Sequence, residues 1–374
     1  MKRCLVISDS FKGTLSSPDI CHIARSISLP GWHIDALPVA DGGEGTTDCF
    51  LDACGGQKRS AAVTDPFGDP LTACYGLLPD GTAVIECAAA AGLPQAEGRL
   101  DPERTTTYGV GQLLAHALDH GAQRLILGLG GSCTNDGGCG AAAALGALFY
   151  DRQGRSFVPT GITLSQLSAI DLRGLHPALH TTPLTVMCDI RNPLYGPDGA
   201  ACVFAPQKGA DNACVSRLDA GLRHLARVIA VSLHTDVSAL PGGGAAGGMG
   251  AGCVALLGGR LCSGIDAILD AVRFDDMLIG ADMVISGEGR LDSQSLQGKV
   301  ISGVATRCKA KAVPLVVLAG VIGEDAEEVY GRGVSAVFCT NRAARPAAEL
   351  AEHCKNDYIA ALGDILRLIN TLCP

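Results

Sequence analysis

The sequence is poor in the features that mark several large protein classes. Aromatic residues make up only 4% of its 374 residues and charged residues only 18%. Lysine and arginine form no block and the formal net charge is −9, so the electrostatic footprint of a nucleic-acid-binding chain is missing. The 17 cysteines include no C-x-x-C pair, which excludes zinc-ribbon and thioredoxin-like spacing. No G-x-x-x-x-G-K-[ST] occurs: Gly298-Lys299 is followed by Val300 and position 293 is Ser, so this is not a P-loop NTPase. The G-x-G-x-x-G match at Gly242, Gly244 and Gly247 follows Leu240-Pro241 without a strand pattern, which argues against a dinucleotide site. No G-x-S-x-G elbow is present. His116 and His120 have helical spacing but lack the zincin glutamate between them, and read as surface histidines. The uncharged stretch Val237 to Gly259 is too rich in glycine for a membrane span. The first residues reach Asp9 too soon for a signal peptide, and scattered thiols then imply a reducing cytoplasm.

Glycine, by contrast, is abundant, with 49 of 374 residues, about 13% against an average near 7%. The hydrophobic fraction of 47% excludes global disorder. A core of Ala, Val, Ile and Leu with glycine at the turns suits a close-packed α/β enzyme. At about 150 residues per domain, the length predicts two or three domains.

Short apolar runs predict buried strands at Cys4–Ser8, Ile34–Val39, Leu125–Leu129, Leu184–Cys188, Met283–Ser286, Leu315–Ala319 and Ala336–Cys339. Helical patterns fall at Ser17–Ser26, Thr46–Ala53, Tyr108–His120, Gly137–Leu148, Val215–Leu233, Ile265–Leu278, Leu296–Ala310 and Ala347–Leu372. This alternation predicts mainly parallel sheets. Dense turn chemistry between Arg59 and Glu86 predicts a β-meander that interrupts the rhythm. The expectation is a discontinuous α/β domain, 1–60 with 280–374, and an inserted α/β domain, 61–279.

Polar residues gather where strands end, which is where open α/β sheets bind ligands. Asp9 and Lys12 follow the first strand, and Asp41 to Glu44 the second; Asp189 follows the run ending at Cys188, and Glu288 to Asp292 the run ending at Ser286. The stretch Gly130–Gly138 follows Leu125–Leu129 and is the best candidate for an anion cradle. Its glycines allow close backbone approach, while Ser132, Thr134 and Asn135 add donors. Asp136 in the same stretch is out of place beside an anion unless a cap or cation intervenes. Carboxylates for a metal and a base, with Lys12, Lys208, Arg290 and Lys299 as cations, suit phosphoryl transfer.

At these residues the chain resembles the bacterial glycerate kinase family, the type that makes 2-phosphoglycerate. The matching segments run in family order along nearly the whole chain. They are Asp9–Gly13, Ala40–Thr46, Thr105–Gly111, Gly130–Ser132 with Thr134–Gly138, Asn192–Leu194, Pro206–Ala210, Ala245–Gly248 and Gly287–Arg290. Cys133, Ser8 and Arg191 depart from the usual family residues. The resemblance implies two α/β domains with the active site in the cleft between them, and ATP, Mg²⁺ and D-glycerate as ligands.

The residue roles follow from chemistry. Gly130, Gly131, Ser132, Thr134, Asn135, Gly137, Gly138, Lys208 and Lys299 are expected to bind ATP phosphates, and Asp189 the metal. Arg290 or Lys12 would hold the substrate carboxylate, with Ser10, Gly42, Gly43 and Glu44 nearby. Asp41 or Asp9 would act on the hydroxyl, with Asp292 next in line. A 3-phosphoglycerate product, a hydroxy-acid oxidoreductase and a ligand-binding protein are the competing readings. Nucleic-acid and membrane partners are not expected, and a monomer or a homodimer is.

Overall fold

The apolar run near the N-terminus forms the inner part of strand β1 (Lys2–Ser8), whose last five residues are all buried. Burial on both faces is what a central parallel strand requires. The computed structural model describes residues 1–11, 13–40, 42–292 and 300–372, except for the side chains of 347 and 348. Helix α1 (Ser17–Ser26) follows, closed at its start by a capping box between Ser16 and Asp19, and then β2 (Trp32–Leu37).

Contacts divide the chain into two units, Asp41–Gly264 and Met1–Ala40 with Ile265–Pro374. The contiguous unit begins with α2 (Thr46–Cys54), β3 (Gln57–Thr64), β4 (Pro70–Leu77) and β5 (Thr82–Glu86). It continues through α3 (Ala88–Ala91), α4 (Tyr108–Asp119), β6 (Arg124–Gly128) and α5 (Cys139–Ala144). Next come β7 (Leu148–Asp151), β8 (Ser156–Phe157), β9 (Leu167–Asp171) and β10 (Leu184–Met187). It closes with α6 (Ala200–Phe204), α7 (Asn212–Leu233), α8 (Ala245–Leu257) and β11 (Arg260–Cys262). The chain then returns to the split unit through α9 (Gly264–Ala271), α10 (Phe274–Met277), β12 (Met283–Leu291) and α11 (Val300–Lys311). There β13 (Leu315–Ile322), α12 (Glu328–Gly331), β14 (Val334–Cys339) and α13 (Ala347–Leu372) complete it.

The split unit is a parallel sheet in the order β14-β13-β12-β1-β2. One face, with Cys4, Val6, Met283, Ile285 and Leu318, packs on α1 and on Tyr358, Leu362 and Leu366 of α13. The contiguous unit has a six-stranded sheet, β11-β10-β6-β5-β4-β3. Its first four strands are parallel, and β4 and β3 add an antiparallel edge. The fold is thus mixed α/β with mainly parallel sheets, one unit inserted into the other.

Four sequence expectations need correction. Helix α2 packs on β4 and β5, so the first junction lies at Ala40/Asp41 and not near residue 60, and the return begins at Ile265 and not near 280. The helix expected over Gly137–Leu148 stops at Ala144, because Gly146 adopts φ 101° where a Cβ would collide with the Gly174 carbonyl. Beyond it β7, β8 and β9 form a small antiparallel sheet that had no sequence counterpart. The helix expected over Ile265–Leu278 breaks at Arg273, whose φ of 54° is left-handed.

Candidate active site

In the contiguous unit the end of β6 meets the turn before α2. The Gly130 amide donates to the Gly42 carbonyl at 2.9 Å. A Cβ at Gly130 would stand 2.5 Å from the Gly43 Cα, and one at Gly128 would collide with the Gly42 carbonyl. Gly42 and Gly43 therefore form the bed on which the Gly128–Gly131 turn lies. Glu44 is exposed, and the N-terminus of α2 is closed instead by Glu86 Oε1, which accepts the Thr47 N–H at 2.6 Å.

A cavity of about 230 Å³ opens beyond the carboxyl ends of β6 and β10. Gly130, Gly131, Ser132, Asp189 and Lys208 line it, so five of the expected phosphate and metal residues come together. Lys208 is 2% exposed. Its ammonium donates to Ser132 Oγ at 3.0 Å and to the Thr134 carbonyl at 2.7 Å. Burial pulls its pKa down to about 8. The charge of Asp136 opposes that shift, but no described carboxylate forms an ion pair with Lys208.

Asp136 takes a different role from the one the glycine-rich loop around it was expected to play. It is fully buried and absent from the cavity lining. Its carboxylate accepts the N–H groups of Thr107, Gly138 and Gly140 and the hydroxyls of Thr106 and Thr107. It thus ties the starts of α4 and α5 together. Burial pushes its carboxyl upward, against hydrogen bonds that hold it down.

Not every expected phosphate residue reaches the cavity. A Cβ at Gly137 would collide with Leu225, and one at Gly138 would lie 3.2 Å from the Met249 Cα, so both bed the loop on α7 and α8. Thr134 and Asn135 are fully buried, and Thr134 Oγ1 and both polar atoms of the Asn135 amide lack a hydrogen-bond partner among the described residues. Asp189 is exposed, and its Oδ1 accepts the Gly264 N–H at 2.7 Å.

Mg²⁺ binds through one or two carboxylates plus ligand oxygens and waters, so a single Asp189 in a cavity wall shared with Gly130, Gly131 and Ser132 fits it. Among the described residues no group of three or more His, Cys, Asp or Glu could hold a metal unaided. Sequence reasoning missed the remaining walls, Leu129, Met187, Cys188, Ile190, Phe204, Gln207, Ala245 and Ala246. Ala246, Gly247 and Gly248 are successively left-handed, and the Ala245–Gly248 motif was the available signal for them.

In the split unit, β1 and β12 are neighbours from which the chain proceeds in opposite directions across the sheet. Such a reversal opens a crevice at the carboxyl ends. Asp9 lies there: its N–H donates to the Gly287 carbonyl at 2.9 Å, and its Oδ1 accepts the Ser10 N–H at 2.6 Å. Glu288 and Arg290 were expected in a turn, but β12 continues through both, held by pairing with β13 as far as Leu291 and Ile322. Arg290 is 67% exposed and lies 3.4 Å from Asp292. Lys12, Asp41 and Lys299 lie outside the described residues.

Glycine turns at strand ends and a buried lysine in the wall of an open cavity give this α/β protein a candidate ligand site beyond the carboxyl ends of its strands. Residues 4–370 match the model of the glycerate kinase family. The chain is 43% identical over 356 residues to a glycerate kinase of Bacillus subtilis, covering 94% of this chain and 93% of that protein. It is 43% identical over 343 residues to a glycerate 2-kinase of Escherichia coli K12, covering 90% of each. A crystal structure from Salmonella typhimurium LT2 assigned to glycerate kinase 2 superposes with a TM-score of 0.85 at 39% identity, covering 99% of this chain and 98% of that one.

The chain belongs to the glycerate kinase family. It is accordingly an ATP-dependent phosphotransferase with an alcohol group as acceptor. Among the described residues no helix is long and apolar enough to cross a membrane.

Proposed function

We propose that the chain transfers the γ-phosphate of ATP to the 2-hydroxyl of D-glycerate, with Mg²⁺, giving 2-phosphoglycerate. The observation that carries this assignment is Lys208, a buried ammonium in a cavity wall with no carboxylate partner among the described residues. A buried charge needs a counter-charge, and a phosphate group supplies one. Gly130, Gly131 and Ser132 add the backbone approach and a hydroxyl. Mg²⁺ held by Asp189 would neutralise phosphate oxygens. The relative named glycerate 2-kinase supports the 2-position.

For the acceptor, Arg290 or Lys12 holds the glycerate carboxylate, with Ser10 beside it. Asp9 or Asp41 accepts the hydroxyl proton as the oxygen attacks the γ-phosphorus and the bond to the β-bridging oxygen breaks. A cytoplasmic role in organic-acid breakdown, as a monomer or a homodimer, completes the proposal. Incubation with ATP, Mg²⁺ and D-glycerate, followed by ³¹P NMR, tests it. A 2-phosphoglycerate signal is expected. Product at the 3-position corrects the regiochemistry, and ADP release no faster than without glycerate overturns the assignment.

A further inference from the structure

Three side chains in one short segment face the same cavity. Helix α6 ends at Phe204, and a 3₁₀ turn covers Pro206–Lys208. Phe204, Gln207 and Lys208 therefore stand at i, i+3 and i+4, the spacing that brings helical side chains to one face. All three line the cavity. Together they offer a half-buried aromatic ring, an exposed carboxamide and a buried ammonium.

The other walls decide what this combination suits. Leu129, Met187, Ile190 and Ala245 are apolar. Glycerate is a three-carbon acid with oxygen on every carbon; Ser132, Asp189, Gln207 and Lys208 offer those oxygens partners, but the acid has no apolar surface to set against the rest of the wall. A nucleotide matches the cavity better, because it joins a flat π-surface with a polar edge to a chain of phosphates. The volume, about 230 Å³, is below the roughly 300–1,000 Å³ of sites that enclose a drug-sized ligand. Part of a nucleotide is thus enclosed and the rest remains at the mouth.

We propose that Phe204–Lys208 is the nucleotide-recognition segment of the chain, with Phe204 stacking on the adenine ring and Gln207 reading its N6/N7 edge. A Gln carboxamide offers one donor and one acceptor group, the complement of that edge, whereas guanine presents two acceptors there. Lys208 takes a phosphate from the same face. The proposal rests on ATP being the co-substrate, and it assigns base selection to the contiguous unit.

Calorimetric titration of the whole chain with ADP, GDP, inorganic tripolyphosphate and D-glycerate tests it. Phe204→Ala should weaken ADP binding about tenfold or more, the scale of a lost base–aromatic stack, while leaving tripolyphosphate unchanged. Phe204→Trp should retain ADP affinity. Gln207→Leu, at an exposed position, should bring the ADP-to-GDP preference towards unity. Unchanged ADP affinity in folded Phe204→Ala, or equal weakening of ADP and tripolyphosphate, overturns the stacking role. Loss of D-glycerate binding in place of ADP binding makes this the acceptor site. An unaltered ADP-to-GDP ratio in Gln207→Leu removes the edge contact. ADP binding by the wild type without phosphoglycerate formation would instead sink the assigned reaction and leave this segment standing.

Discussion

The amide of Gly130 is hydrogen-bonded to the carbonyl of Gly42, 2.9 Å away. The bond joins two turns that are 88 positions apart in sequence. Each lacks side chains at the contact, so the backbones approach more closely than any Cβ would permit.

Gly130→Ala places a methyl group 2.5 Å from the Gly43 Cα. Both turns must shift to admit it. The expected cost is about 1–3 kcal/mol of stability, the range for overpacking, with a fall in kcat/KM. Denaturant unfolding and steady-state kinetics on one preparation measure both.

Lys208→Met keeps most of the side-chain length and removes a buried charge that no described carboxylate balances. Thermal stability without ligand should hold or rise. Affinity for ATP should fall by roughly 100-fold, the loss of a charge-assisted contact to phosphate. Melting curves and nucleotide titration check the opposite signs.

The same lysine sets a pH dependence. Its folded pKa, about 8, is below its ordinary value of 10.5. Between those values the unfolded chain holds a proton that the folded chain has released, so this group makes the ligand-free protein gain stability as pH rises through the window. An anion in the cavity favours the ammonium, so binding takes up a proton. Tripolyphosphate affinity should fall by up to about tenfold per pH unit above about 8. Lys208→Met should flatten that slope.

Asp136→Asn puts an amide nitrogen where five donors converge on a carboxylate. The expected loss is about 1–3 kcal/mol of stability, from donors left without an acceptor. Asp136 does not line the cavity, so kcat per folded molecule should change little. Activity normalised to folded fraction separates this from a catalytic role.

Asp9 follows β1, but the cap of α1 is Ser16, whose hydroxyl accepts the Asp19 N–H. A capping role therefore does not account for Asp9. Asp9→Asn should lower kcat by about 100- to 10,000-fold if its carboxylate serves the acceptor hydroxyl. A small change in kcat with a lowered melting temperature would move that role to Asp41.

Much of the scaffold was legible because burial writes itself into apolar runs. The seven expected strands all formed, most of them extended by a few residues, and α1 and α13 have their expected limits. β7, β8 and β9 were illegible because short strands linked by turns have no period long enough to read. The break at Arg273 carries no glycine or proline to announce it. In the site, glycine turns and Asp189 were visible as residues that follow strands. Two facts were not. One is the burial of Lys208, 2% exposed, which only the packing of distant segments around it produces. The other is the convergence of Phe204 with Met187 and Ala245, which tertiary contacts alone decide.

The interrupted sheet has a consequence for biogenesis. Leu5 in β1 pairs with Val284 in β12, so a central strand made among the first residues waits for a neighbour made far later. The contiguous unit, Asp41–Gly264, contains its own sheets and core and needs no later residue to pair its strands. On the ribosome it is expected to fold first, as vectorial synthesis favours whichever domain is complete. Its folding shortens the span between β1 and β12 from hundreds of flexible residues to the separation of its two ends, which lowers the entropy of closing the split sheet. The insertion thus acts as a clasp for the sheet that carries it. A chain stalled before Met283 would leave β1 with β2 alone, an apolar strand with one open edge and a target for aggregation or quality control.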